Sequence, residues 1–233
     1  MTDKMISLEA HDGGTFSAYL ATPAGGQGPA VVVIQEIFGI NANVRSICDD
    51  YAARGYFAIA PDLFWRQEPG IQLTPAGQEE WDKAFALYQG FNVDLGIADL
   101  KTSLDHVRHL QGTNGKVGVT GYCLGGMLTY LMAARSDADA AAGYYGVGIH
   151  EALSEAKNIS APLILHIAEE DGFVDKQAQQ AMHDGLDSHP NITLYDYPGV
   201  DHAFAREGGD HYDKDAATLA NKRTADLFAK YLK

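Results

Sequence analysis

The chain has 233 residues, 46% of them hydrophobic and 21% charged, close to ordinary globular usage and enough for one sizeable core. Seventeen basic against thirty-one acidic residues give a net charge of −14, which excludes the electrostatic footprint of a nucleic-acid or anionic-lipid binder. Two cysteines, Cys48 and Cys123, exclude a disulfide scaffold and a four-cysteine zinc site. No run of eighteen apolar residues reads as a membrane span, and the start, Met1 to Glu9, lacks the apolar stretch of a signal peptide. The expectation is a single domain over residues 1–233, cytoplasmic and acting in solution.

In chain order, Met5–Ala10 and Thr15–Ala21 flank an Asp-Gly turn and read as an antiparallel pair. The β-branched run Ala30–Ile34 does not alternate, as expected of a strand buried on both faces. Val44, Ile47, Cys48, Tyr51 and Ala52 share one helical face, and Gly55 marks its stop. Tyr56–Ala60 is a strand. The stretch from Asp62 to Gly90 is less regular, with a helical face at Trp81, Phe85 and Tyr88, and Ile97, Leu100, Leu104 and Val107 define the next helix. Strands at Lys116–Thr120, Ala141–Tyr145, Pro162–Ala168 and Ile192–Tyr197 alternate with helices at Met127–Arg135, about Lys176–Leu186, and a last one carrying Leu219, Leu227, Phe228 and Leu232. This alternation predicts an α/β fold, a mostly parallel central sheet with helices on both faces.

The sharpest local signal is Gly121-Tyr122-Cys123-Leu124-Gly125-Gly126, between a buried strand and a helix. It has the form of a nucleophile elbow with cysteine where serine is usual. Glycines on either side permit the tight turn that lifts the side chain clear of the sheet, and the helix N-terminus behind it favours a thiolate. The alternative is a structural cysteine in an ordinary turn. Cys48, on an apolar helix face, reads as core packing.

In the α/β-hydrolase order, an acid and then a histidine follow the nucleophile, each on a loop after a strand. Asp171 follows the run ending at Ala168, and His202 follows the last strand. Glu169, Glu170 and Asp175 compete with Asp171, while Asp201 is too close to His202 in sequence to reach its ring. His106, His109, His183 and His189 fall on predicted helices, His166 reads as a satisfied core group, and His11, His150 and His211 are loop residues with no partner pattern. The loop Gln35-Glu36-Ile37-Phe38-Gly39 stands where such folds build an oxyanion hole, its donors being the N–H groups of Leu124 and Ile37, each worth about 3–4 kcal/mol of barrier. Glu36, beside a buried strand end, must find a partner unless it is a solvated loop acid.

Together with Ala60-Pro61-Asp62-Leu63, Gly115-Lys116-Val117-Gly118, Gly143-Tyr144-Tyr145-Gly146 and His202-Ala203-Phe204-Ala205-Arg206, these segments resemble the dienelactone hydrolase (carboxymethylenebutenolidase) family of α/β-hydrolases over nearly the whole chain. The resemblance implies Cys123 as nucleophile, His202 as general base and then acid, and Asp171 orienting the imidazole. It implies that Glu36 holds the resting thiol until a substrate carboxylate displaces it. It also implies opening of a lactone through an acyl-enzyme to an open-chain acid such as maleylacetate, with no metal or organic cofactor; separately, the chain is expected to act as a monomer. Arg206 matches one of two family arginines that bind the substrate carboxylate. Trp81 stands at the position of the other, and Phe85 at that of a family tyrosine. With Phe38 and Tyr145 these make up the expected substrate-binding set. Trp81 is either an apolar substrate wall or helix packing. The expected activity is hydrolysis of a lactone or carboxylic ester with an altered substrate clamp. The alternatives are a noncatalytic small-molecule-binding relative of the fold and a thiol redox protein, the latter lacking a nearby resolving cysteine.

Overall fold

A computed structural model describes residues 4–233, so Met1–Asp3, part of the start read above for a leader, lie outside the described residues. The chain divides into two compact units, one up to Val117 and one from Gly118 onward.

In the first unit the strands run in the order β1-β2-β4-β3. β1 (Met5–Glu9) and β2 (Thr15–Ala21) form the expected hairpin, with Glu9 opposite Thr15. β3 (Gly28–Ile34) pairs in parallel with β4 (Phe57–Pro61), and Val31 to Ile34 are fully buried, which is why their sequence does not alternate. α1 (Ala42–Ala53) starts where the Asn41 side chain accepts from the Val44 N–H, and α3 (Val93–Arg108) where Asn92 accepts from Leu95. α3 buries Ile97, Leu100, Leu104 and Val107, the face that its spacing predicts. Between β4 and α2 (Gln78–Gln89) the chain forms one antiparallel bridge, Gln72 to Gly39, with the Leu73 N–H on the Phe38 carbonyl at 2.8 Å, and side chains hold much of the rest. Asp62 accepts from the N–H groups of Phe64 (3.0 Å) and Gly70 (2.7 Å). Arg66 lies over the Trp65 ring and pairs with Asp12 and with the buried Asp99 of α3.

Gly39, just past β3, has φ +76°, and a Cβ there would stand 1.9 Å from the Ile71 carbonyl oxygen. Gly39→Ala is therefore expected to lower stability by at least about 1–3 kcal/mol, read as a lower urea midpoint at unchanged slope. A midpoint equal to wild type would refute this reading of the turn.

β5 (Thr113–Tyr122) starts in the first unit and runs into the second, where the strands continue as β5-β6-β7-β8, all parallel. β5 outlasts the expected Lys116–Thr120 because its ladder with β6 (Ala140–Tyr144) continues to Tyr122 opposite Tyr144. β7 (Leu163–Ala168), α5 (Lys176–Leu186) and β8 (Ile192–Tyr197) fall close to their expected bounds. Two short 3-10 turns, Ile149–Glu151 and Leu153–Asn158, were not foreseen. α6 (Lys214–Leu232) begins before its first apolar residue, since the Asp213 side chain caps Ala216 at 2.8 Å. α4 (Leu124–Arg135) is buried nearly all round. Its first turn comes so near the end of β6 that a Cβ on Gly126 would lie 2.4 Å from the Tyr144 carbonyl oxygen.

His166 is the satisfied core group expected of it. One ring nitrogen meets the Tyr197 hydroxyl at 2.8 Å and the other the Thr224 hydroxyl at 3.0 Å. Burial first, and then the Arg223 charge, push its pKa down to about 3, so the ring stays neutral.

Candidate active site

In the second unit, β5 ends at Tyr122 and α4 begins at Leu124, so Cys123 alone turns the corner. Its φ of +57° and ψ of −116° lie where a side chain costs about 1–3 kcal/mol. The turn is held by the Cys123 N–H on the Tyr144 carbonyl (3.1 Å) and by the Cys123 carbonyl accepting from Gly126 (2.9 Å) and Met127 (3.2 Å). Leu124 is the first residue of α4, where a backbone N–H has no partner within the helix. Cys123 is partly exposed. Cys48, by contrast, is sealed on α1, where burial drives its thiol pKa far up, as a packing residue requires.

Asp171 sits on the loop after β7 and His202 on the loop after β8. Asp171 Oδ2 lies 2.8 Å from His202 Nδ1, and Oδ1 accepts from the Phe173 N–H at 2.8 Å. Three of the rival acids are engaged elsewhere: Asp175 caps α5, Glu170 pairs with Lys176, and Asp201 binds the His202 backbone N–H. The imidazole is buried and also hydrogen-bonds Cys123. Burial alone would push the His202 pKa down. The Cys123 thiolate charge, hydrogen bonds to Asp171 and Cys123, and the Asp171 charge outweigh it and carry the value up to about 10. Beside a thiolate, the imidazolium therefore keeps its proton.

Two aromatic rings flank His202. Tyr145 is buried at 5.0 Å, and Phe173, half exposed, stands at 4.8 Å with an interplanar angle of 72°. Phe173 was not singled out from sequence. The only hint was its place two residues after Asp171, which carries no periodic signal. Tyr145 (φ +37°) and Ala203 (φ +65°) also hold positive φ, so backbone strain gathers around the imidazole. Arg206 follows on the same loop, partly buried, with its N–H on the Ala203 carbonyl.

In the first unit, Gln35, Glu36, Ile37 and Phe38 follow β3 and are all buried, so Glu36 is not a solvated loop acid. Gln35 fixes this turn, donating to the Glu36 carbonyl and accepting from the Leu63 N–H, each at 3.2 Å. Trp81 lies on α2, edge-on to Phe38 at 5.1 Å and tilted against Phe85 at 5.8 Å, with its Nε1 donating to the Pro75 carbonyl. Trp81 is partly exposed, and Phe85 is exposed outright.

The model of the dienelactone hydrolase family matches residues 16–232. The chain belongs to that family. It is 48% identical over 233 residues, covering all of both chains, to the "Putative carboxymethylenebutenolidase" of Azospirillum brasilense. It is 38% identical over 229 residues to the carboxymethylenebutenolidase of Pseudomonas putida, covering 98% of this chain and 97% of that one. A crystal structure from Klebsiella pneumoniae, "Putative Dienelactone Hydrolase", superposes with a TM-score of 0.86 at 28% identity, covering 97% of this chain and 98% of that one. The expected α/β-hydrolase fold and a hydrolase activity follow from this membership. No helix among the described residues is long and apolar enough to cross a membrane, and no cluster of three or more His, Cys, Asp or Glu among them is placed to hold a metal ion.

Proposed function

We propose that the chain works as one hydrolase domain that opens a lactone or carboxylic ester through a thioester on Cys123. The observation that carries this is the imidazole of His202, bound to Asp171 on one side and to the elbow cysteine on the other. The Cys123 thiolate attacks the carbonyl carbon and a tetrahedral oxyanion forms. The imidazolium gives its proton to the leaving oxygen as the C–O bond breaks, leaving the acyl group on sulfur. His202, now neutral, takes a proton from water, whose oxygen attacks the thioester. Collapse releases the acid and restores the thiolate beside the imidazolium. Asp171 keeps the ring in the tautomer and orientation that both steps need.

For the first unit the proposal keeps the roles that the family resemblance implies. Glu36 holds the resting thiol; displaced by a substrate carboxylate, it takes the thiol proton to give the attacking thiolate and returns it after product release, and the N–H of Ile37 joins that of Leu124 in stabilising the oxyanion. The enzyme acts in the cytoplasm as a monomer, without metal or organic cofactor.

The substrate is a more apolar lactone or ester than dienelactone, with Arg206 retaining a preference for one anionic group. Support comes from Trp81, an aromatic ring in place of a guanidinium, whose absence removes a charge-assisted contact worth about 1.5–3 kcal/mol. In a substrate panel, kcat/KM for aryl and alkyl esters is expected to exceed that for dienelactone. Trp81→Arg is expected to raise the dienelactone value by about ten- to a hundredfold. A wild-type dienelactone rate far above the ester rates would overturn the altered clamp and leave the family assignment standing.

A further inference from the structure

Asp201 adjoins His202 in sequence yet acts on its backbone. Its Oδ1 accepts from the His202 N–H at 2.6 Å and from the Gly172 N–H at 3.2 Å. Those amides lie on different loops, one carrying the imidazole and the other continuing from Asp171. Asp201 Oδ2 stands 3.5 Å from His211 Nδ1, and the same nitrogen is 3.1 Å from the His202 carbonyl oxygen. A carbonyl only accepts, so this nitrogen carries the proton and donates. The His202 residue is thus gripped at its N–H by Asp201 and at its C=O by His211. His211, expected to be a loop residue without partners, has two.

The backbone here needs such a grip. Ala203, next in the chain, has φ +65°, a strained conformation that persists only where its surroundings over-determine it. Burial disfavours the Asp201 charge, but the two amide hydrogen bonds and the neighbouring histidines hold its pKa below the usual carboxylate range, so the acceptor stays ionised. Neither Asp201 nor His211 binds the imidazole ring nitrogens, which are taken by Asp171 and Cys123.

We propose that Asp201 and His211 are positioning residues, a brace that sets where the His202 imidazole stands between Asp171 and Cys123 by fixing its backbone on both sides. The inference rests on the reading of Cys123 as nucleophile and His202 as base. A catalytic group displaced by an ångström costs about 100-fold. Asp201→Ala is therefore expected to lower kcat on an aryl ester by about 10- to 100-fold with KM within about twofold of wild type. Asp201→Asn, which keeps an oxygen acceptor for both amides, is expected to recover most of kcat. His211→Ala is expected to lower kcat less, and the double variant to fall short of the product of the single losses, as coupled neighbours do.

Wild-type kcat in Asp201→Ala, equal losses in the alanine and asparagine variants, or a loss carried by KM would each overturn the brace. Should Asp201→Ala fail to fold, His211→Ala carries the test, and wild-type kcat in it has the same consequence. Cys123→Ala, assayed in parallel, separates the two levels. Turnover surviving there removes the underlying reading, whereas an inactive Cys123→Ala beside a fully active Asp201→Ala removes the brace alone.

Discussion

Cys123→Ala is expected to lose turnover of every ester substrate, with kcat falling by about 10⁵- to 10⁶-fold, the scale set by removing a nucleophile from a coupled triad. Alanine retains the elbow's backbone but leaves His202 and Asp171 with no group to activate. Because Cys123 lies on a turn held by backbone hydrogen bonds, the variant is expected to keep its fold, so that inactivity reports chemistry rather than collapse. Cys123→Ser should retain a little activity. A hydroxyl gives up its proton far less readily than a thiol, and the imidazole is set to pair with a thiolate rather than to strip an alcohol. Initial rates on an activated aryl ester, checked against thermal unfolding, measure both variants. Alanine activity within tenfold of wild type would contradict the mechanism.

Asp171→Asn is expected to have the next largest effect, about 10⁴-fold in kcat, at little cost in volume. The carboxylate accepts from the imidazole through Oδ2 and from the Phe173 N–H through Oδ1. An amide can satisfy the N–H of Phe173 with its oxygen only by turning its NH₂ toward His202, which then presents an acceptor where it should donate. The ring adopts the wrong tautomer, and the charge that favours the imidazolium is gone. Since Asp171 contributes to raising the His202 pKa, the variant's imidazole should also titrate at lower pH than the wild type's, measurable by NMR of the ring protons. A kcat within tenfold of wild type would leave Asp171 a structural acid only.

The second unit was the more legible in sequence, for physical reasons. β8 announces itself by a short β-prone run, and the elbow by strand, glycine and helix in immediate succession. Chain order puts Asp171 and His202 after β7 and β8, which are neighbours in the sheet, and Cys123 after β5, with β6 between. Apolar spacing marks α3 and α6 but not their starts, which the caps Asn92 and Asp213 set, and α4 begins at Leu124, ahead of the expected Met127. The contacts around His202 stayed hidden because they run through single side chains on aperiodic loops: Phe173 on the ring, Asp201 and His211 on the backbone. In the first unit, the segment after Asp62 reads as irregular because side chains such as Asp62, Arg66 and Asp99 satisfy it, and those partnerships leave no pattern.

The most direct measurement is the mass of the protein acid-quenched during turnover of a slowly deacylating aryl ester, followed by peptide mapping. One acyl group per chain, confined to the peptide bearing Cys123 and appearing with a burst of released phenol, is the predicted result. Continued turnover with no acyl adduct, or an adduct on another residue that persists in Cys123→Ala, would contradict it.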